Sequence, residues 1–86
     1  VKTVRWRKSF GKDFNKLQRW QKAAWAKVFE LFVGNQNHPK LRRHKLNGKY
    51  KGLESIDVAP DLRALFLEED EEFVFYSLKN HNQLYG

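Results

Sequence analysis

The run Ile56-Asp-Val-Ala-Pro-Asp-Leu-Arg-Ala-Leu-Phe-Leu-Glu-Glu-Asp-Glu-Glu-Phe-Val-Phe-Tyr-Ser-Leu78 decides the fold. Ile56 and Val58 alternate with Asp57, then Leu62, Ala64 and Phe66 alternate with Arg63, Leu65 and Leu67, and residues 73–78 make a third run. A period of two marks strands, whose successive side chains point to opposite faces. Pro60-Asp61 and the acidic stretch 68–72 supply the two connections, the second expected to be a solvated turn away from any bound phosphate. Strands joined this closely form an antiparallel meander, because a parallel return needs a crossover of a dozen or more residues. Arg63 shares a face with Leu65 and Leu67, opposite Leu62 and Ala64, and a charge placed there asks for a partner.

Upstream, residues 1–6 alternate Val4 with Arg5 and Trp6 with Arg7, which reads as a short strand. From Ser9, a candidate helix cap, Phe10, Phe14 and Leu17 fall at i, i+4 and i+7 while Lys12, Lys16 and Arg19 point outward. A second apolar set, Trp25, Val28, Phe29 and Phe32, continues to Gly34-Asn35, where the glycine is expected to cap the helical region before Asn37-His38-Pro39. No Gly or Pro interrupts residues 12–33, and Phe10, Phe14, Leu17, Gln21, Ala24, Val28 and Leu31 keep a heptad that favours a single rod. Such a rod of about 25 residues would span ~37 Å, wider than a compact domain of this size. Polar Gln21 also interrupts the seam, so a helical hairpin breaking near residues 20–22 is expected. Residues 40–51 concentrate Lys40, Arg42, Arg43, Lys45, Lys49 and Lys51 around His44 and the turn-forming Asn47-Gly48, and read as an exposed basic loop. The tail, residues 80–86, has room for one helical turn. The expected architecture is α+β over residues 1–86 as one domain, an N-terminal strand and helical hairpin packed on a small antiparallel sheet.

Composition narrows the function. A chain of 86 residues buries one core and has room for one site at most. Lys and Arg number 17 against 10 Asp and Glu, a formal charge of +7 that is unevenly spread. Residues 1–51 hold 15 basic and 2 acidic side chains (net +13), and residues 52–86 hold 2 basic and 8 acidic (net −6). A polyanion is the natural partner of the first part. The absence of cysteine excludes disulfides, thiolate metal sites and cysteine nucleophiles, and the three scattered histidines lack a zinc-ligand spacing, so neither metal nor other cofactor is expected. Apolar runs such as Leu31-Phe32-Val33 fall far short of the ~18 residues of a membrane span, and no signal-peptide core follows the basic start, so a cytoplasmic protein is expected. With 41% hydrophobic and 15% aromatic residues the chain has the apolar material that disordered basic tails lack.

The order strand, helix pair, basic loop, meander and short tail, with the words His44-Lys-Leu-Asn-Gly48, Pro60-Asp-Leu-Arg-Ala-Leu-Phe66 and His81-Asn-Gln-Leu-Tyr85-Gly, resembles the RelE/ParE superfamily of bacterial toxins, most closely its YafQ-like branch. The resemblance covers essentially the whole chain and is most specific in the C-terminal half. It implies two helices on one side of an antiparallel sheet. It further implies a metal-independent ribonuclease that cuts mRNA in the ribosomal A site and is inhibited by a cognate antitoxin. Ribosome, mRNA and antitoxin are thus the implied partners. By position, His44, Asp61 and His81 match the acid/base group of the YafQ-like branch, and Arg63 and Tyr85 match the arginine and tyrosine of the RelE branch. There are departures: Asp57 stands where the YafQ-like branch commonly has a second strand histidine, and Ser77 where it has an arginine. The two lysines of the RelE branch fall on Ser55 and Asp57. Phosphate stabilisation is then implied to rest on Arg63, with Lys79 or the loop cations, and Asp57 is placed to repel a phosphate.

The chemistry agrees with these residue types. Cutting RNA without a metal needs a base for the 2′-hydroxyl proton, an acid for the departing 5′-oxygen and cations for the phosphate. Lys40, Arg42, Arg43, Lys45, Lys49, Lys51 and Lys79 are the candidate RNA-binding cations. Structural readings stand beside each assignment: His44 as a solvated loop residue, His81 as a capping or packing residue, Asp61 as the turn residue expected after a proline, Tyr85 as an apolar anchor. The spacing of four between His81 and Tyr85 lets both rings share one face of a helical turn. Trp20 and Trp25 read as core or antitoxin-contacting residues rather than base-stacking platforms. Two other functions use the same features, a ParE-like gyrase poison and a nucleic-acid-binding protein without catalysis.

Overall fold

In the computed structural model, which describes residues 2–85 (Tyr85 by its backbone alone), Thr3–Trp6 forms β1, Lys8–Asn15 α1 and Arg19–Gly34 α2. His44–Lys45 follows as β2, Glu54–Ala59 as β3, Leu62–Glu68 as β4, Glu72–Lys79 as β5 and His81–Tyr85 as α3. Short 3-10 turns at Pro39–Leu41 and Gly48–Tyr50 flank β2. The meander is present as expected, β3 to β4 to β5, each pair antiparallel. The sheet is nonetheless mixed and five-stranded, in the order β1-β5-β4-β3-β2. β1 runs parallel beside β5, with Trp6 opposite Phe75, because the chain crosses over through both helices before it returns to the sheet.

The two helices are separate, but the break lies at residues 16–18, a turn earlier than the seam suggested. Leu17 N donates to the Phe14 carbonyl to tighten the last turn of α1. Gln21 Oε1 then accepts from Gln18 N at 2.8 Å, so the polar residue in the apolar seam caps the start of α2. Ser9 does not cap α1. Arg7 occupies that position and the Ser9 hydroxyl donates to the Tyr76 carbonyl. Nor is Gly34 the cap of α2: it is the last helical residue, and Asn35 follows in extended backbone.

Both helices cover one face of the sheet. Phe32 meets Phe66, Phe73 and Phe75 with ring centroids 4.9–5.3 Å apart, and Trp25 packs on Phe10 and Phe75. The helix-facing set includes Phe73, Phe75 and Leu78, whose spacing breaks strict alternation. A bulge accounts for it: Leu65 pairs with Ser77 but Phe66 with Phe75, leaving Tyr76 as an extra residue on β5. β1 stops at Phe75, and α1 satisfies the open edge beyond it. There Asp13 Oδ2 accepts from Leu78 N at 3.0 Å, next to the Ser9 bond to Tyr76.

The acidic turn is held by charge as well as solvated. Glu68 pairs with Lys2 at 2.7 Å and Glu72 with Arg5 at 3.0 Å, so the basic start of the chain neutralises part of the acidic half. The basic segment, expected as a loop, contributes β2 to the ladder, with His44 opposite Ser55 and Lys45 opposite Glu54.

Candidate nucleic-acid interface

The candidate site occupies the other face of the sheet. Cross-strand partners point the same way, so the register defines two adjacent rows on the face turned from the helices. In one row His44 is followed by Ser55, Leu65 and Ser77 across β2, β3, β4 and β5. Leu65 is fully buried there beneath Leu46 and Leu84, with Tyr50 and Leu53 beside them, so the segment after β2 and the α3 tail cover the middle of the face. Ser55 is buried too, and its hydroxyl has no hydrogen-bond partner among the described residues.

The next row is charged. Arg63 pairs with Asp57 on one side and Lys79 on the other. Arg63 Nε lies 3.5 Å from Asp57 Oδ1, and Arg42 Nε lies 3.6 Å from Asp57 Oδ2. Lys79 turns to Asp13 of α1 at 3.5 Å. The partner that Arg63 required is therefore Asp57, which stands between two arginines. Asp57 was legible only as a negative charge near the site; its role in holding Arg63 and Arg42 depends on the register between β3 and β4 and on where Arg42 lands. Arg42 has 79% of its side chain exposed and a left-handed backbone, φ 50°, that swings the chain from the 3-10 turn into β2.

The acid/base candidates fall at two places. Asp61, in the β3–β4 turn, accepts from the backbone N–H of His81 at 3.0 Å, which joins that turn to the first turn of α3. α3 is further capped by Asn80 and Gln83, each side-chain oxygen accepting from the other's backbone N–H at 2.8 Å. His44 lies on β2, two strand spacings or about 10 Å from β4. Its Nδ1 is 2.9 Å from the Arg42 carbonyl, a contact that requires the proton on Nδ1 and leaves Nε2 of the neutral ring as an acceptor. Asp61 and His81 are brought together, as are Arg63, Asp57 and Arg42, with His44 at the far edge. The Tyr85 side chain lies outside the described residues.

Among the basic candidates, Lys40, Lys45, Lys49 and Lys51 are exposed. Arg43 is different. Just before β2 it lies on the helix side, where its side chain is 14% exposed, its guanidinium donates to both oxygens of Glu54 at 2.8 Å and to Glu68 at 2.6 Å, and it stacks 5.1 Å above the Phe66 ring. These carboxylates hold its pKa further above the ordinary arginine value, the hydrogen bond it donates to Glu54 being the largest cause. Arg43 ties the basic segment to the sheet and is not positioned as a phosphate contact. Among the described residues no cluster of three or more His, Asp or Glu is arranged to hold a metal ion, and no helix is long and apolar enough to cross a membrane.

No family model matches the sequence, and no curated protein matches it closely. Solved structures do. YafQ from E. coli superposes with a TM-score of 0.82 over 100% of both chains at 19% identity. In the E. coli DinJ-YafQ toxin-antitoxin complex the matched chain gives a TM-score of 0.79 at 20% identity, covering 99% of this chain and 98% of that one. A YoeB/ParE toxin from Agrobacterium tumefaciens gives 0.68 at 17% identity over 92% and 98%. With a mixed five-stranded sheet and helices on one of its faces, the chain has the fold of the YafQ toxin.

Proposed function

We propose that this protein is the toxin of a toxin-antitoxin pair, a metal-independent endoribonuclease that cuts mRNA on the ribosome and so halts translation. The observation that carries the reading is the charged row Arg42, Asp57, Arg63 and Lys79, set on the sheet face turned from the helices, between His44 at one edge and Asp61 with His81 at the start of β4. Asp57 does not repel a phosphate from this row so much as hold two arginines in it, and a phosphate meeting Arg63 and Arg42 would share them with that carboxylate.

The reaction follows from these groups. His44 Nε2 accepts the 2′-hydroxyl proton, and the freed oxygen attacks the adjacent phosphorus while Arg63 and Arg42 stabilise the extra charge on the phosphoryl oxygens. His81 supplies the proton to the departing 5′-oxygen. Asp61 is a positioning residue, since its carboxylate receives the His81 backbone N–H and sets the first turn of α3. The exposed cations Lys40, Lys45, Lys49 and Lys51 hold the flanking backbone in the cytoplasm's ribosome-bound message, and the same surface attracts an acidic antitoxin.

Mapping transcript ends after brief induction tests the reading. Wild-type protein should produce new ends within translated messages. His81→Ala should reduce them by about 10²- to 10⁴-fold with the thermal midpoint nearly unchanged. Intact transcripts alongside inhibited DNA supercoiling would establish the gyrase-poison reading instead.

A further inference from the structure

A groove of about 440 Å³ lies between the α1–α2 turn, the β3–β4 turn and the start of α3. One wall is Trp20, 55% exposed where the neighbouring Trp25 is buried at 6%. Trp20 is not loose: its indole N–H donates to Gln18 Oε1 at 2.8 Å, within the bonds that start α2. Leu17, Leu62 and Leu78 give the groove an apolar floor, and Asp61 and Lys79 link it to the charged row.

The polar lining selects among ligands. Asn80 and Gln83 use their carbonyl oxygens to cap α3, which leaves their amide NH₂ groups as donors. Asp13 and Asp61 add carboxylate acceptors. Lys16 and Lys79 balance these two carboxylates, so the lining has no net charge to draw in a phosphate or an acidic peptide, while the carboxylates accept well from the exocyclic amines and ring N–H groups of nucleobases. A pinned, exposed indole with apolar floor, amide donors and carboxylate acceptors around it is matched to a flat heterocycle with donors and acceptors on its rim.

We propose that this groove binds one unpaired nucleobase of the RNA, stacked on Trp20, beside the phosphate held at Arg63. The proposal rests on the ribonuclease reading for the identity of the RNA, and it makes Trp20 a specificity-determining residue. In binding at low salt, a single-stranded 2′-deoxy 10-mer, which lacks the attacking hydroxyl, should bind Trp20→Ala about five- to a hundred-fold more weakly than wild type. Trp20→Phe should restore most of the loss, and an abasic 10-mer should bind wild type and Trp20→Ala equally. Both variants should keep the wild-type thermal midpoint within a few degrees. On translating ribosomes, Trp20→Ala should also lose sequence preference at the cut sites.

Equal binding of the base-bearing 10-mer by wild type and Trp20→Ala overturns the proposal while leaving ribonuclease activity to be judged by transcript cleavage. Normal base-dependent binding without any cleavage supports the groove and removes the ribonuclease reading. Loss of antitoxin binding by Trp20→Ala with 10-mer affinity unchanged assigns the groove to protein and overturns it.

Discussion

The two faces of the central sheet are built from the same three strands and differ in what they are asked to do. The helix-covered face packs Phe66, Phe73 and Phe75 against Phe32 and the Trp25 cluster, with every ring near another ring. The other face alternates buried Leu65 and two serines with a row of opposed charges, under a partial cover of Leu46 and Leu84. The lesson is a division of labour: apolar area on one face holds the fold, which frees the other to keep charged groups that contribute little to stability. Arg43 crosses that division. It comes from the basic segment of the open edge yet serves the covered face.

The comparison can be broken most sharply at Arg63. If the open face carries chemistry and not stability, Arg63→Ala should cut transcript cleavage by about 10²- to 10³-fold while changing unfolding free energy by less than about 1 kcal/mol, since its pair with Asp57 is partly exposed and Arg42 still faces that carboxylate. Comparable losses of activity and stability would erase the distinction. On the covered face, Phe75→Ala should cost about 3–5 kcal/mol in denaturant unfolding, because it removes a buried ring from the centre of the aromatic cluster.

Arg43→Ala should destabilise by about 3 kcal/mol, leaving Glu54 and Glu68 without their shared cation. Its effect on affinity for RNA should be smaller than that of Lys45→Ala, an ordering that would reverse if Arg43 were a phosphate ligand. The smallest effect concerns acid. Lys2 first and then Arg43 hold the Glu68 carboxyl below its ordinary value of 4.5. A carboxyl depressed in the folded state stabilises above its unfolded pKa, and that contribution disappears as pH falls through the folded value. Thermal midpoints should therefore drop on acidification below about pH 4.5, and Glu68→Gln should make that drop shallower while lowering stability slightly at neutral pH.

Much of this division was legible along the chain. The period of two through residues 56–67 and the proline and acid turns placed β3, β4 and β5 and assigned Arg63 to the face away from Ala64. Other features were hidden for physical reasons. The break at residues 16–18 has no Gly or Pro; it rests on a Gln18–Gln21 cap that is a weak local signal beside a continuous heptad. β2 is two residues long, and nothing local marks a pair of basic residues as a strand until β3 offers its edge. Phe73, Phe75 and Leu78 share a face only because of a bulge at Tyr76. Of the candidate site, the positions of His44, Asp61, Arg63 and His81 came from resemblance and residue chemistry, whereas the Asp57 bridge and the exposure of Trp20 came from the fold.

What the sequence by itself determined is whatever depends on neighbours in the chain: strand periodicity, amphipathic helices, turn positions, and a charge split of +13 against −6. What only the tertiary structure decided is which of those charges remain available. Arg43 is withdrawn by Glu54 and Glu68, 11 and 25 residues away, Lys2 and Arg5 by the acidic turn more than 60 residues away, while Lys45 and Lys49 stay exposed. Electrostatic pairing falls off over a few ångströms of space and takes no account of separation along the chain, so the fold sets the usable charge.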